Sequence, residues 1–155
     1  MQFKKIQGFS LVELIVVIIL LGILGVAATS KLFDSSSFEA SSFHLEAINA
    51  VRYAQKTAIA TGCEVEASLL ASGSFSVNFR SGGSDTSCGT GTFSEPVLHP
   101  DMSGPYAATA PEGVSVSNDL IIVFNSAGSP TSGGAWTANI GGNPITVEAD
   151  TGFVY

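Results

Sequence analysis

The stretch GFSLVELIVVIILLGILGVAATS, Gly8 to Ser30, carries a single ionisable side chain, Glu13. An acid at a bilayer centre costs about 2.5 to 3.5 kcal/mol on insertion scales, so its place in such a run calls for a partner or a position near the surface. At about 1.5 Å rise per residue, a helix from Phe9 to Ser30 covers about 33 Å, the thickness of a bilayer core. The segment is long enough to span a membrane. Lys4 and Lys5 precede it and the next basic residue is Lys31. The positive-inside tendency therefore leaves the N-terminal tail in the cytoplasm and carries everything beyond Lys31 outward.

Outward from that run the chain is of one-domain length, 155 residues, and its 45% hydrophobic content is high only because the apolar segment is counted. An exported domain sits in an oxidising space, and the two cysteines, Cys63 and Cys88, then read as one structural disulfide. Closing a loop of about 26 residues stabilises a small domain by about 3 to 3.5 kcal/mol in the chain-entropy model.

Two fates are open to the apolar run. As a conventional secretory signal it would be cut on its far side, near Ala27 and Ala28, and the mature product would be a soluble secreted adhesin or envelope domain. Glu13 would then be incidental. The alternative comes from the residues around it. Gly8-Phe9-Ser10-Leu11-Val12-Glu13, followed by apolar residues, resembles the processing site of type IV pilins and of the pseudopilins of type II secretion.

That resemblance implies a cut between Gly8 and Phe9 by a prepilin peptidase and N-methyltransferase, loss of the leader 1–8, and methylation of the new amine on Phe9. The apolar segment is then kept in the inner membrane. Glu13 lies one helical turn from that amine. In such a family the amine belongs to a neighbouring subunit, and the pair sets the register of helices entering a heteromeric filament, the best-attested use of a buried ion pair. Gly22 matches a glycine often seen in pilins. Gly22 and Gly25 each cost a helix about 0.5 to 1 kcal/mol but admit close neighbours. Ser30 departs from the pattern of many major pilins, which carry a helix-bending proline there.

The implied fold is α+β and pilin-like, with a transmembrane and assembly helix over 9–30, an amphipathic continuation over 31–62 and a periplasmic β-sheet domain over 63–155. The sequence agrees in outline. Leu45, Ile48, Val51, Ala54, Ala58 and Ile59 recur at three- and four-residue steps and predict one apolar face on a helix over 38–61. Asp34 and the serines after it predict a kink or an N-cap. Strands are predicted at 64–70, 74–80, 114–117, 120–125, 136–140, 145–149 and 153–155, with turns at Ala127-Gly128-Ser129-Pro130 and Gly141-Gly142-Asn143-Pro144. Residues 81–111, with little periodicity, read as one long loop.

Within the family, the run LIIVFNSAGSP followed by WTANI and PITVEADTGFVY resembles the tail of minor pilins and pseudopilins of the GspH/FimT type. Major pilins commonly carry their disulfide near the C-terminus, which Cys63 and Cys88 do not match. The chain looks most like a minor pilin of a mannose-sensitive haemagglutinin pilus system.

Charge weighs against nucleic acid. No Lys or Arg follows Arg80, and without Lys4 and Lys5 four basic residues face 13 acidic ones, a formal charge of −9. Phosphate contacts need the opposite sign. His44, on a helix surface, and His99, between prolines, lack a nucleophile motif or metal-ligand spacing around them, so no enzyme and no cofactor is expected. Glu64, Glu66, Glu148 and Asp150 alternate as exposed strand positions do. Asp85, Glu95 and Asp101 lack the EF-hand spacing that a calcium loop would show.

Overall fold

The computed structural model describes residues 10–32, 35–131 and 136–155. They fall into two compact units, Met1–Ser35 and Ser36–Tyr155. In the first, α1 runs over Leu11–Leu32. Among the described residues the second holds seven strands and α2, Ser35–Thr61, whose first residue falls in the first unit. Asp34, expected to kink or cap a helix, lies outside the described residues.

Five strands form one antiparallel sheet. They are β1 (Val65–Leu69), β2 (Ser74–Arg80), β3 (Phe93–Pro96), β4 (Ala107–Thr109) and β5 (Leu120–Phe124). The order is β3-β2-β1-β5, with β4 on β2 as well. Period-two alternation decides which face is inward. Register then lines up Phe79, Val65 and Phe124 in one row, Val77, Ala67 and Ile122 in a second, and Phe75, Leu69 and Leu120 in a third. All nine side chains are buried.

Helix α2 contributes Phe43, Ala47, Ile48, Ala50, Val51, Ala54 and Ala58 to the same core. Four alanines on the inward face leave room for the phenylalanine rings of the sheet, so a small helix surface meets a large sheet surface. The apolar face therefore differs from the one expected. Ile48, Val51, Ala54 and Ala58 are buried, but Leu45 and Ile59 are 60% and 53% exposed. The cause is angular: at 100° per residue, positions 45 and 59 lie on the far side of the helix from 43, 47, 54 and 58.

The region 81–111 is not one loop. It contains β3 and β4, both registered against the outer edge of β2. Their short, mostly exposed spans carry no inward alternation, which is why the sequence shows no period there. Strands β6 (Trp136–Ile140) and β7 (Asn143–Val147) form a hairpin. Its two-residue connection, Gly141-Gly142, takes φ of 55° and 87°, both in the left-handed region that such hairpin turns need and that glycine adopts at no steric cost. β7 thus starts at Asn143, two residues earlier than expected. Residues 114–117 reduce to a bridge from Val116 to Ile140, and the C-terminal segment 153–155 to a bridge from Val154 to Val147.

The turn at Asn125 is an Asx turn. The Asn125 side-chain oxygen accepts from the N–H groups of Ala127 and Ser129. The hairpin, the Asn125 turn and the tail are tied to α2 by polar side chains reaching backbone carbonyls. His44 Nε2 lies 2.9 Å from Pro144 O, Arg52 Nη2 donates to Val154 O at 2.9 Å, and Gln55 Nε2 donates to Gly128 O and Thr151 O. His44, expected on a helix surface, is half-buried there.

Candidate functional site

The N–H of Leu14 donates to the carbonyl of Ser10 at 3.2 Å, which makes Ser10 the residue at which α1 begins. Glu13 is then the third residue of the helix, in its first turn. Ser10-Leu11-Val12-Glu13 has the spacing of a capping box, a signal present in the sequence and missed there. The helix macrodipole stabilises an anion at that end by about 0.3 to 1 kcal/mol. An acid at this position is therefore less costly than the same acid at mid-helix.

The rest of the helix surface is apolar all round. From Leu11 to Leu24 every large hydrophobic side chain is between 44% and 74% exposed. A helix of that kind is stable only when lipid or other protein covers it. A Cβ added at Gly22 or Gly25 would meet nothing within 4 Å, so both positions stay open to a close neighbour. Among the described residues no helix is long and apolar enough to cross a membrane. The α1 side chains described, Leu11 to Gly25, cover about 22 Å, against a core of about 30 Å. Gly8 and Phe9 lie outside the described residues.

At the other end of α2, Cys63 and Cys88 form a disulfide with Cα atoms 5.1 Å apart. It joins the approach to β1 to the excursion between β2 and β3. Cys63 is buried and Cys88 exposed. Arg80 organises the same place: Nε meets Glu64 Oε2 at 2.6 Å, Nη1 donates to Gly91 O at 2.6 Å, and the guanidinium lies 4.3 Å from the Phe93 ring centroid. An open depression of about 480 Å³ beside the disulfide includes Glu64, Arg80 and Gly89 in its lining. Its one cation is already neutralised by Glu64.

The other residues considered from sequence are dispersed. His99 stacks on Tyr106 at 4.7 Å, and Tyr106 stacks on Tyr53 at 5.2 Å. His99 Nδ1 also faces Asp101 Oδ1 at 2.6 Å. Hydrogen bonds from Ser103, and then from His99, hold the Asp101 carboxyl down at about 2. Asp85 and Glu95 border a different depression. Among the described residues no three His, Cys, Asp or Glu side chains converge as a metal site.

Glu66 is not the exposed strand acid expected; it is half-buried on the outer face of β1, opposite Asn78 and Val123. Burial raises its pKa above 4.5, and the nearby Arg80 charge only partly opposes the shift. A raised folded-state pKa contributes stability that is fully present below the unfolded value and is lost as pH rises through the folded one. Glu66→Gln should therefore raise the urea midpoint at pH 7, and the gain should shrink toward nothing below pH 4. Urea titrations at both pH values measure it.

Residues 3–29 match the family model described as the prokaryotic N-terminal methylation motif. The match covers Gly8, Phe9 and Glu13 together, and it supports a type IV pilin-like character for the chain. No curated protein and no solved structure matches it.

Proposed function

We propose that this chain is a minor pilin or pseudopilin: a structural subunit held in the bacterial inner membrane by its N-terminal helix, with residues 32–155 in the periplasm, and then drawn into a type IV pilus-like filament. The observation that carries this reading is the methylation motif matched over residues 3–29, which overlaps the described part of α1, Leu11 to Leu24, where the large apolar side chains are exposed. The prepilin peptidase removes residues 1–8 and methylates the amine of Phe9. Glu13, at the start of the helix, then meets the amine of a neighbouring subunit, and the pair fixes how far each helix advances along the next.

Burial of the Leu11 to Leu24 surface, first by lipid and then by other pilin helices, holds the subunit in each state. The Cys63–Cys88 disulfide, with both cysteines ahead of β3 rather than near the C-terminus, favours a minor subunit, and the GspH/FimT type and a mannose-sensitive haemagglutinin pilus are its proposed subgroup and system. The role needs no cofactor and no catalysis.

N-terminal mass spectrometry of the chain recovered from envelope fractions tests the proposal. The expected terminus is N-methylated Phe9. A terminus near Ala28 or Thr29 would identify a secreted domain released by an ordinary signal peptidase.

A further inference from the structure

Between β3 and β4 the chain leaves the sheet edge as a short finger, His99 to Gly104. Its base is closed by the Leu98–Pro105 bridge and by His99 N–H, which donates to Gly104 O at 2.8 Å. Its tip carries Met102, 79% exposed and at φ 59°. Among the described residues this is the one non-glycine side chain at positive φ, a conformation that disfavours a Cβ and that glycine takes at no steric cost. The turn would form more easily without the side chain, and a side chain so exposed adds little to any core. Neither backbone nor packing calls for a methionine there.

Beside it stands a histidine set for ligation. The His99 ring lies flat on Tyr106, centroids 4.7 Å apart, and Tyr106 is itself stacked on Tyr53 of α2. His99 Nδ1 is 2.6 Å from Asp101 Oδ1, too close for two bare acceptors, so a proton lies between them. It belongs to Nδ1, because hydrogen bonds from Ser103, and then from His99, hold the Asp101 carboxyl down at about 2 and so ionised. The Asp101 N–H lies 3.4 Å from the same nitrogen, beyond ordinary hydrogen-bond range, and gives way to the carboxylate. A carboxylate on one nitrogen of the neutral ring fixes the tautomer and leaves the Nε2 lone pair free, the arrangement that stands behind metal-binding imidazoles. Among the described residues His99 Nε2 has no hydrogen-bond partner, whereas His44 Nε2 is taken up by Pro144 O.

The sequence narrows the soft donors. It contains two methionines, two histidines and two cysteines. The cysteines are bonded to each other and Met1 falls in the proposed leader, which leaves Met102 as the thioether of the folded domain, three residues from His99. Met102 N–H donates to His99 O at 2.8 Å and closes a turn that brings the two Cα atoms within about 7 Å. Three rotatable bonds then let the sulfur reach the free edge of the imidazole.

We propose that His99 Nε2 and Met102 Sδ bind a soft monovalent cation, Cu(I) or Ag(I), with Asp101 as the positioning residue and counter-charge. The donor set decides the class of ion: thioether and imidazole together suit soft metals. Zinc takes a tetrahedral set of ligands and calcium a shell of oxygens, and among the described residues no three His, Cys, Asp or Glu side chains converge to supply either. Asp101 balances the charge of the ion through the ring, without a bond to it. The site is independent of the filament role, since every copy of the folded domain carries it.

Titration of the full chain in detergent with silver nitrate, in chloride-free buffer, tests the site; Ag(I) needs no reductant and leaves the disulfide intact. With isotope-labelled methionine methyls, the Met102 NMR signal should shift and saturate at one equivalent of silver. Met102→Leu and His99→Gln should each weaken binding at least about ten-fold. Asp101→Asn should weaken it about ten-fold and also move the imidazole nitrogen shifts that report which ring nitrogen carries the proton, a readout that a merely structural role would leave alone. Met102→Gly separates ligation from folding: relieved of the strained φ, it should melt no lower than wild type and still lose the ion. Zinc nitrate at the same concentration should leave the Met102 signal in place. A Met102 signal that stays put at millimolar silver overturns the site, as does binding that survives Met102→Gly or that is abolished by His44→Gln in place of His99→Gln. A response to zinc equal to that to silver overturns the soft-ion assignment.

Discussion

Glu13→Ala is expected to remain in the membrane fraction and to fall at least about ten-fold in sheared filaments. Removing the carboxylate makes insertion easier, by up to about 2.5 to 3.5 kcal/mol if the group reaches the bilayer centre. Assembly moves the other way. In the proposed assembly a neighbour's amine is buried against that position, and deleting the acid would leave a cation without a partner, a loss of about 3 to 5 kcal/mol in comparable pairs.

The position of Glu13 in the first turn of α1 supplies a competing account, in which the acid serves only the helix's own start. Glu13→Gln separates the two. Glutamine fills the third position of a capping box as well as glutamate does, so a purely local role predicts normal recovery of Glu13→Gln in filaments. A charge pairing predicts that Glu13→Gln fails like Glu13→Ala. Immunoblots of membrane and sheared fractions, normalised to total chain, give the comparison. Full recovery of Glu13→Gln would refute the ion-pair role and leave Glu13 as a cap.

The parts of this fold that were legible in the sequence are those where burial repeats with the backbone's own period. In β1, β2 and β5 every second residue points into the core, and the alternating strings VEASL, SFSVNFR and LIIVF show it directly. β3 and β4 stayed hidden because their positions are set by hydrogen-bonding to β2 and not by burial: Ser94, Glu95 and Pro96 are all exposed. The inward face of α2 was misread for a related reason. Ala47, Ala50, Ala54 and Ala58 carry the contact but are good helix formers anywhere, whereas Leu45 and Ile59 advertise burial and do not have it.

The ties from Arg52 and Gln55 to the carbonyls of Val154, Gly128 and Thr151 span 73 to 102 residues, and no local pattern encodes such partners. At the N-terminus the situation is reversed. There the proposed chemistry lies within six consecutive residues, Gly8 to Glu13, so a short stretch suffices to suggest it, and residues 3–29 match a methylation motif.

Loss of the Cys63–Cys88 bridge should lower the stability of the folded domain by about 3.5 kcal/mol, because the bond closes a loop across a sequence separation of 25. For a domain of this size that corresponds to about 10 °C in Tm. What the bond restrains is specific. The excursion 81–92 folds back on itself through Ser81 N–H to Thr92 O and Thr90 N–H to Ser81 O. Gly89 sits so close to the carbonyls of Arg80 and Ser81 that a side chain there would collide with them. Arg80 holds the same excursion from the other side through Gly91. The reduced protein should therefore keep its sheet and core while this segment loosens.

Cys63→Ser/Cys88→Ser and reduced wild type should melt together, and the double variant should not respond to reductant. Protease cleavage confined to 81–92 in the reduced protein is the local signature, read by mass spectrometry beside the melts. Equal melting of oxidised and reduced protein would show that Arg80 and the tight glycine turn suffice, and the bridge would then owe its place to the oxidising space in which the chain folds rather than to stability.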